Sequence, residues 1–125
     1  MNKKFAIFLT LMILAVISVG VVCAADNDTV SVNGCNFTIP EGFSVNKTAD
    51  YYVVLSNGNG DNIKIEAQQA LDDKLNVVGD TSSVGGKEGV LRNYNEGKCS
   101  FFYMDNGHRI TITAPDQSLI ESVIS

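Results

Sequence analysis

Tryptophan is absent, histidine occurs once, and beyond the first 25 residues only two cysteines remain. Each shortage removes a class of chemistry. One histidine, His108, and two cysteines without paired spacing do not make a zinc cage. No C-x-x-C spacing exists, so a thioredoxin-like redox role has no motif. A nucleophilic triad needs a base beside its nucleophile, and no G-x-S-x-G elbow is present. Cys35 or Cys99 with His108 is the one dyad the composition allows, and a histidine just after a tight turn reads as a solvated turn residue. Lack of tryptophan weakens a sugar-stacking role. No charge run or low-complexity tract occurs.

The start of the chain addresses it. Lys3 and Lys4 precede an uncharged, predominantly apolar run, residues 5–22, and the small residues Cys23-Ala24-Ala25 lead to Asp26. A charged start, a greasy middle and an A-x-A-like site are the layout of an export signal. Residues 1–25 are therefore expected to be a signal peptide, cut after Ala25. The alternative keeps the 18-residue run as a membrane anchor, since it is just long enough to span a bilayer. Both place residues 26–125 outside, as a secreted domain or one on the extracellular face of the membrane. Cys23 follows Val22, whereas a lipid-attachment cysteine normally follows a small residue.

Removing Lys3 and Lys4 leaves seven basic against 14 acidic residues, a net charge of about −7. Such a domain repels phosphate backbones and anionic lipid, which argues against nucleic-acid binding. Solubility outside the cell is the simplest use of the acidity. One domain of about 100 residues can bury a modest core. An oxidising compartment predicts a Cys35–Cys99 disulfide closing a loop of roughly 65 residues, worth ~4 kcal/mol in the chain-entropy model. Two buried, unpaired thiols are the alternative. Three sequons, beginning at Asn27, Asn36 and Asn46, are candidate glycosylation sites in an exported chain.

Other short patterns fail on inspection. The run Asn57-Gly58-Asn59-Gly60-Asp61 resembles the start of an EF-hand loop, but Asn62 and Gln68 stand where glycine and a bidentate glutamate belong. A hairpin turn is the better reading. Gly85-Gly86-Lys87 lacks the earlier glycine of a Walker A loop, where Thr81 stands, and Glu88 replaces its Ser or Thr. Asp72 and Asp73 are adjacent, whereas a glycosidase pair converges from separate positions. No metal site or cofactor is indicated.

Period-2 alternation dominates the rest. Val30 and Val32 lead into Asn33-Gly34, the strongest short hairpin signal, and Phe37 and Ile39 continue the pattern. Residues 51–55 turn through 57–62 into Ile63, Ile65 and Ala67, with Lys64, Glu66 and Gln68 on a wet face. Residues 68–78 fit a short middle helix, stopped by Gly79. Residues 90–94, 99–104 and 109–113 read as strands separated by Asn95-Glu96-Gly97 and Asp105-Asn106-Gly107-His108. Phe101 and Tyr103 share one strand face with Cys99, and Phe102 and Met104 take the other. That pattern means either a strand covered on both sides or an exposed patch. Leu119, Ile120, Val123 and Ile124 form one helical face, capped by Thr113 or Asp116, with Pro115 suiting its first turn. The sum is an α+β fold: an antiparallel sheet of about six strands, a C-terminal helix packed on one face, and a short middle helix.

Residues 33–43, Asn-Gly-Cys-Asn-Phe-Thr-Ile-Pro-Glu-Gly-Phe, resemble the G-x-x-F-x-I-P-x-G-F/W opening of the PsbP-like group. Residues 84–89, 101–103, 110–112 and the final helix are similar to that group's second half. The chain also resembles small exported α+β proteins of archaea. These motifs are turn and core positions, so the resemblance implies a fold more than an activity. Many PsbP-like members are non-catalytic accessory or binding proteins. The expected function is accordingly a non-enzymatic exported or cell-surface domain with a binding or structural role, its partner a protein or envelope component. The alternatives are a small extracellular enzyme or enzyme inhibitor, or a thiol-redox protein using Cys35 and Cys99.

Overall fold

A computed structural model describes residues 28–94 and 97–124. The expected leader, Cys23 and the first sequon at Asn27 lie outside these residues, as do Asn95 and Glu96 of one predicted turn. Among the described residues, no helix is long and apolar enough to cross a membrane.

The fold is mostly β, which corrects the α+β, six-strand expectation. A first hairpin joins β1 (Thr29–Val32) to β2 (Cys35–Thr38). Seven strands then build one antiparallel sheet: β3 (Ser44–Thr48), β4 (Tyr52–Ser56), β5 (Asn62–Gln69), β6 (Thr81–Val84), β7 (Lys87–Tyr94), β8 (Lys98–Asp105) and β9 (His108–Ala114). Their spatial order is β3-β4-β5-β9-β8-β7-β6. One helix, α1 (Gln117–Ile124), closes the chain. The C-terminal helix and the hairpins stand as expected; β3 and β6 are too short or too exposed to show a clear alternation.

Turn chemistry sets the register. Asn33 and Gly34 sit at φ 49° and 84°, and Asn106 and Gly107 at 54° and 79°. Two successive positive φ values are what a two-residue hairpin turn demands, and asparagine followed by glycine tolerates them best. The β4–β5 connection is held by Asn57, whose Oδ1 accepts from the backbone N–H of Asn59 and Asp61 at 2.9 and 3.0 Å. The residues that resemble a calcium loop thus serve their own turn.

The predicted middle helix does not form. Strand β5 runs on through Gln68 and Gln69, which pair with Arg109 and His108. Residues 70–80 then cross as an irregular strap. Asp72 Oδ1 accepts from the Lys74 backbone N–H at 2.9 Å, and Asn76 takes φ 57°. Both favour a turn over a helix. Leu71 and Val78, two of the strap's apolar residues, are exposed. Without a surface to bury its apolar stripe, a short amphipathic segment gains too little to nucleate a helix.

One face of the sheet carries the core. Val53, Leu55, Ile63, Ile65, Ala67, Phe101, Ile110, Ile112 and Ala114 are all buried there. The β1–β2 hairpin covers one half, inserting Val32, Cys35 and Phe37, while α1 covers the other with Ile120 and Val123. Asn33 Nδ2 donates to the Ala67 carbonyl at 2.9 Å, pinning the hairpin turn to β5. Asp116 caps α1: its Oδ1 accepts from the Leu119 backbone N–H at 3.0 Å and from Ser118 Oγ at 2.7 Å. Pro115 therefore precedes the cap instead of lying in the first turn. Each large apolar side chain so buried contributes about 1.5–3 kcal/mol, an upper estimate against an extended unfolded chain.

Candidate functional site

With hairpin and helix on the inner face, the outer face of the sheet is left to side chains and the strap. Strand pairing sorts its residues into rows across the strands. One row reads Lys47, Val54, Lys64, Thr113, Ser100 and Arg92. The next reads Tyr52, Glu66, Thr111, Phe102 and Val90. Gln68, Arg109 and Met104 follow. Lys98 projects from the same face, two positions before Ser100.

Charge is segregated. Of the seven basic residues after Ala25, five lie on this face: Lys47, Lys64, Arg92, Lys98 and Arg109. Glu66 and Glu88 are the acidic residues of its strands. The strands of this face thus carry five cations against two carboxylates, within a chain that is acidic as a whole. Asp61 rims this surface, and the strap adds Asp72, Asp73 and Asp80.

The cations are held by uncharged partners. Lys64 Nζ lies 5.0 Å above the Tyr52 ring, and the Arg92 guanidinium 5.3 Å above Phe102. Arg92 also donates to the Val78 carbonyl, at 2.6 Å from Nη2, tying down the strap. Arg109 Nη2 donates to Gln68 Oε1 at 3.2 Å. Among the described residues the one ion pair is Lys87–Asp105, away from this face at 3.8 Å. Ser100 and Thr113 share a hydrogen bond of 2.8 Å at the centre of the first row, with Ser100 buried.

Two depressions mark the face. A groove of about 600 Å³ is bounded by Asp61, Asn62, Lys64, Glu66, Lys98 and Thr113. A smaller cavity of about 280 Å³ lies between the strap and Gln68 and Arg109. The aromatic question raised by β8 resolves strand by strand. Phe101 and Tyr103 point inward and stack at 5.4 Å. Phe102 is half-buried beneath Arg92, and Val90 is buried beside Gly79 of the strap.

The residues singled out from sequence are dispersed. Cys35 and Cys99 are free and buried, and are not within disulfide distance, contrary to the expected bond. Cys99 opens the inner face of β8 opposite Ala114, whereas Cys35 packs near Asp105 at the far end of that strand. Six residues of strand separate those ends by about 20 Å. Burial, then the charge of Asp105, raises the Cys35 pKa; burial, then Asp116, raises that of Cys99. A thiol shifted upward is a poor nucleophile at neutral pH. His108 Nδ1 is 3.0 Å from the Asn106 carbonyl, within its own turn. Burial pushes the Tyr103 hydroxyl far above its usual range.

Asn36 is exposed on β2 between buried Cys35 and Phe37, and Asn46 is exposed at the bulge of β3. Among the described residues no group of three His, Cys, Asp or Glu converges on a metal site. Sequence reasoning missed the cationic row. Alternation marked Lys64 as wet, but only the pairing register aligns it with Lys47 and Arg92. No family model matches the chain, and neither a curated protein nor a solved structure matches it.

Proposed function

We propose that the chain is an exported or cell-surface domain that binds rather than catalyses, and that it docks its partner on the outer face of the seven-stranded sheet. The observation that carries this reading is the charge segregation: five cations on one sheet face of an acidic chain, three of them (Lys64, Arg92 and Arg109) held by a ring, a carbonyl or an amide. A solubility role alone gives no reason to collect the basic residues on one side. The leader supports the location, and the resemblance to PsbP-like domains supports a non-catalytic role. The thiol-redox alternative loses its basis, because its two sulfurs sit at opposite ends of β8.

The test compares three full-length proteins against native envelope extract: wild type, the outer-face reversal Lys64→Glu/Lys98→Glu, and Glu121→Lys on α1. Retention of the same envelope component by wild type and Glu121→Lys, with its loss by the reversal, is the expected outcome. Equal retention by all three would remove the sheet face from the proposal.

A further inference from the structure

We infer that the outer sheet face takes an extended, sparsely charged anionic glycan laid across the strands, an inference that rests on the binding role just proposed and names its partner class. Lys47, Lys64 and Arg92 lie in one cross-strand row. Adjacent strands stand about 4.8 Å apart, so the backbone positions are about 10 Å apart from Lys47 to Lys64 and about 14 Å from Lys64 to Arg92. Between the last two lie the hydroxyls of Thr113 and Ser100. The row therefore spaces three cations along a line perpendicular to the strands, with Val54 between the first two and Thr113 and Ser100 between the last two.

That spacing selects among polyanions. Duplex DNA carries a charge about every 1.7 Å along its axis, far denser than this row can match, and it meets long-range repulsion from a chain of net negative charge. A polysaccharide with a carboxylate on alternate sugars brings widely spaced charges and many hydroxyls. Thr113, which the buried Ser100 hydroxyl holds in place, and exposed Asn62 nearby can each donate and accept hydrogen bonds, as sugar hydroxyls require. An acidic peptide would add backbone groups, which are best met at a sheet edge and not on a face. Recognition here uses charge and hydroxyls, so the missing tryptophan is no obstacle. Glu66 and Asp61 border the groove at Lys64 and Lys98, and they repel polymers with an acid on every unit more than those with gaps.

The experiment measures binding of the full-length protein, in nonionic detergent, to hyaluronan, dextran, poly-glutamate and a single-stranded oligonucleotide. Hyaluronan is expected to bind best, and to weaken as salt screens the exposed charges. The variant Lys47→Gln/Lys64→Gln, which spares the strap-holding Arg92, is expected to weaken hyaluronan binding about tenfold. Lys87→Gln, which lies off the row, leaves it unchanged. Dextran binding as tight as hyaluronan, tighter binding of poly-glutamate or oligonucleotide, or equal loss in Lys87→Gln overturns the assignment. Thermal unfolding of both variants must match wild type; if only the double variant is unfolded, the single Lys47→Gln on the edge strand is read instead. If the Lys64→Glu/Lys98→Glu protein loses its envelope component while hyaluronan never binds, the glycan assignment fails and the binding face stands.

Discussion

Gly89, in the middle of β7, is the position where one added methyl group costs most. It pairs with Tyr103 of β8. A Cβ built there collides with the Phe102 carbonyl oxygen, and would lie 2.9 Å from the carbonyl carbon and 3.0 Å from Tyr103 Cβ. Two of these three atoms are backbone, so no rotamer change relieves the contact. Strands β7 and β8 must separate locally, or the sheet must bend. Overpacking of this kind costs about 1–3 kcal/mol, and each ladder hydrogen bond lost adds about 1 kcal/mol. Gly89→Ala is therefore expected to destabilise by about 3 kcal/mol, a large share of the roughly 5–15 kcal/mol available to a domain of this size. At about 4–8 °C per kcal/mol, the midpoint falls by roughly 12–24 °C. The control is Gly58→Ala in the β4–β5 turn, where an added Cβ meets nothing within 4 Å. The same methyl there is expected to be neutral or to stabilise by up to about 1 kcal/mol, because it restricts the unfolded chain. Thermal denaturation followed by far-ultraviolet circular dichroism reads both. A Gly89→Ala midpoint within about 4 °C of wild type, or equal losses in the two variants, would refute the close-approach argument.

Reductant is expected to leave the unfolding midpoint unchanged, whereas losing a Cys35–Cys99 bond would cost ~4 kcal/mol; a reductant-dependent melt, or a peptide mass for the linked pair, contradicts the free thiols. Asp116 has its pKa lowered, first by the Ser118 hydroxyl and then by the Leu119 N–H. Its folded pKa lies below the unfolded value, so its stabilisation is present above the unfolded pKa and fades as pH falls through the folded one. Asp116→Ala is expected to cost about 1 kcal/mol at neutral pH, while Asp116→Asn keeps most of the cap and flattens the acid limb of a stability–pH curve; an unchanged acid limb contradicts the capping role. Leu71→Ser on the strap is expected to shift stability by less than about 0.5 kcal/mol, as chemical denaturation would show, because Leu71 is fully exposed. A larger loss would mean that the strap packs more tightly than its exposure indicates.

What the sequence made legible was whatever local chemistry decides. Asn33-Gly34 and Asn106-Gly107 mark turns because few other pairs accept two positive φ values, and both hairpins fold there. Ile63, Ile65 and Ala67 announce a half-buried strand because a period of two is the geometry of a strand itself. The C-terminal helix was visible because its apolar residues recur at helical spacing behind a capping aspartate. The strap was misread because Ala70, Leu71, Leu75 and Val78 also recur at helical spacing. Periodicity cannot say whether a surface exists for them to cover, and here Leu71 and Val78 have none. The cysteine pairing was illegible for a related reason: loop length gives the entropic gain of a bond but not the position of either end. The cationic row is a property of register, which no single segment carries; Lys47, Lys64 and Arg92 are 17 and 28 residues apart in the chain and are aligned only through five successive strand pairings.

The strap ties these points together. Its length of chain has to travel from β5, near the middle of the sheet, to β6 at the edge, and it does so across the outer face. It leaves beside the β8–β9 turn, where the Ala70 N–H bonds the Gly107 carbonyl at 3.0 Å, and arrives over Val90, where Gly79 makes its close approach. Arg92 grips the Val78 carbonyl on the way. The consequence is a divided surface. The apolar residue Val90 is shielded, so that part of the face needs no partner to stay out of water. The stretch from Lys47 through Lys64 to Ser100 lies clear of the strap's anchoring points and keeps its charges available. A helix at residues 68–78 would have given a shorter connection, since a helical residue spans only about 1.5 Å, whereas the non-helical strap makes the crossing with length to spare. The path that leaves Leu71 without a surface carries the chain over β9, β8 and β7 at one end of the face, where Arg92 grips it, and leaves Lys47 and Lys64 clear of it.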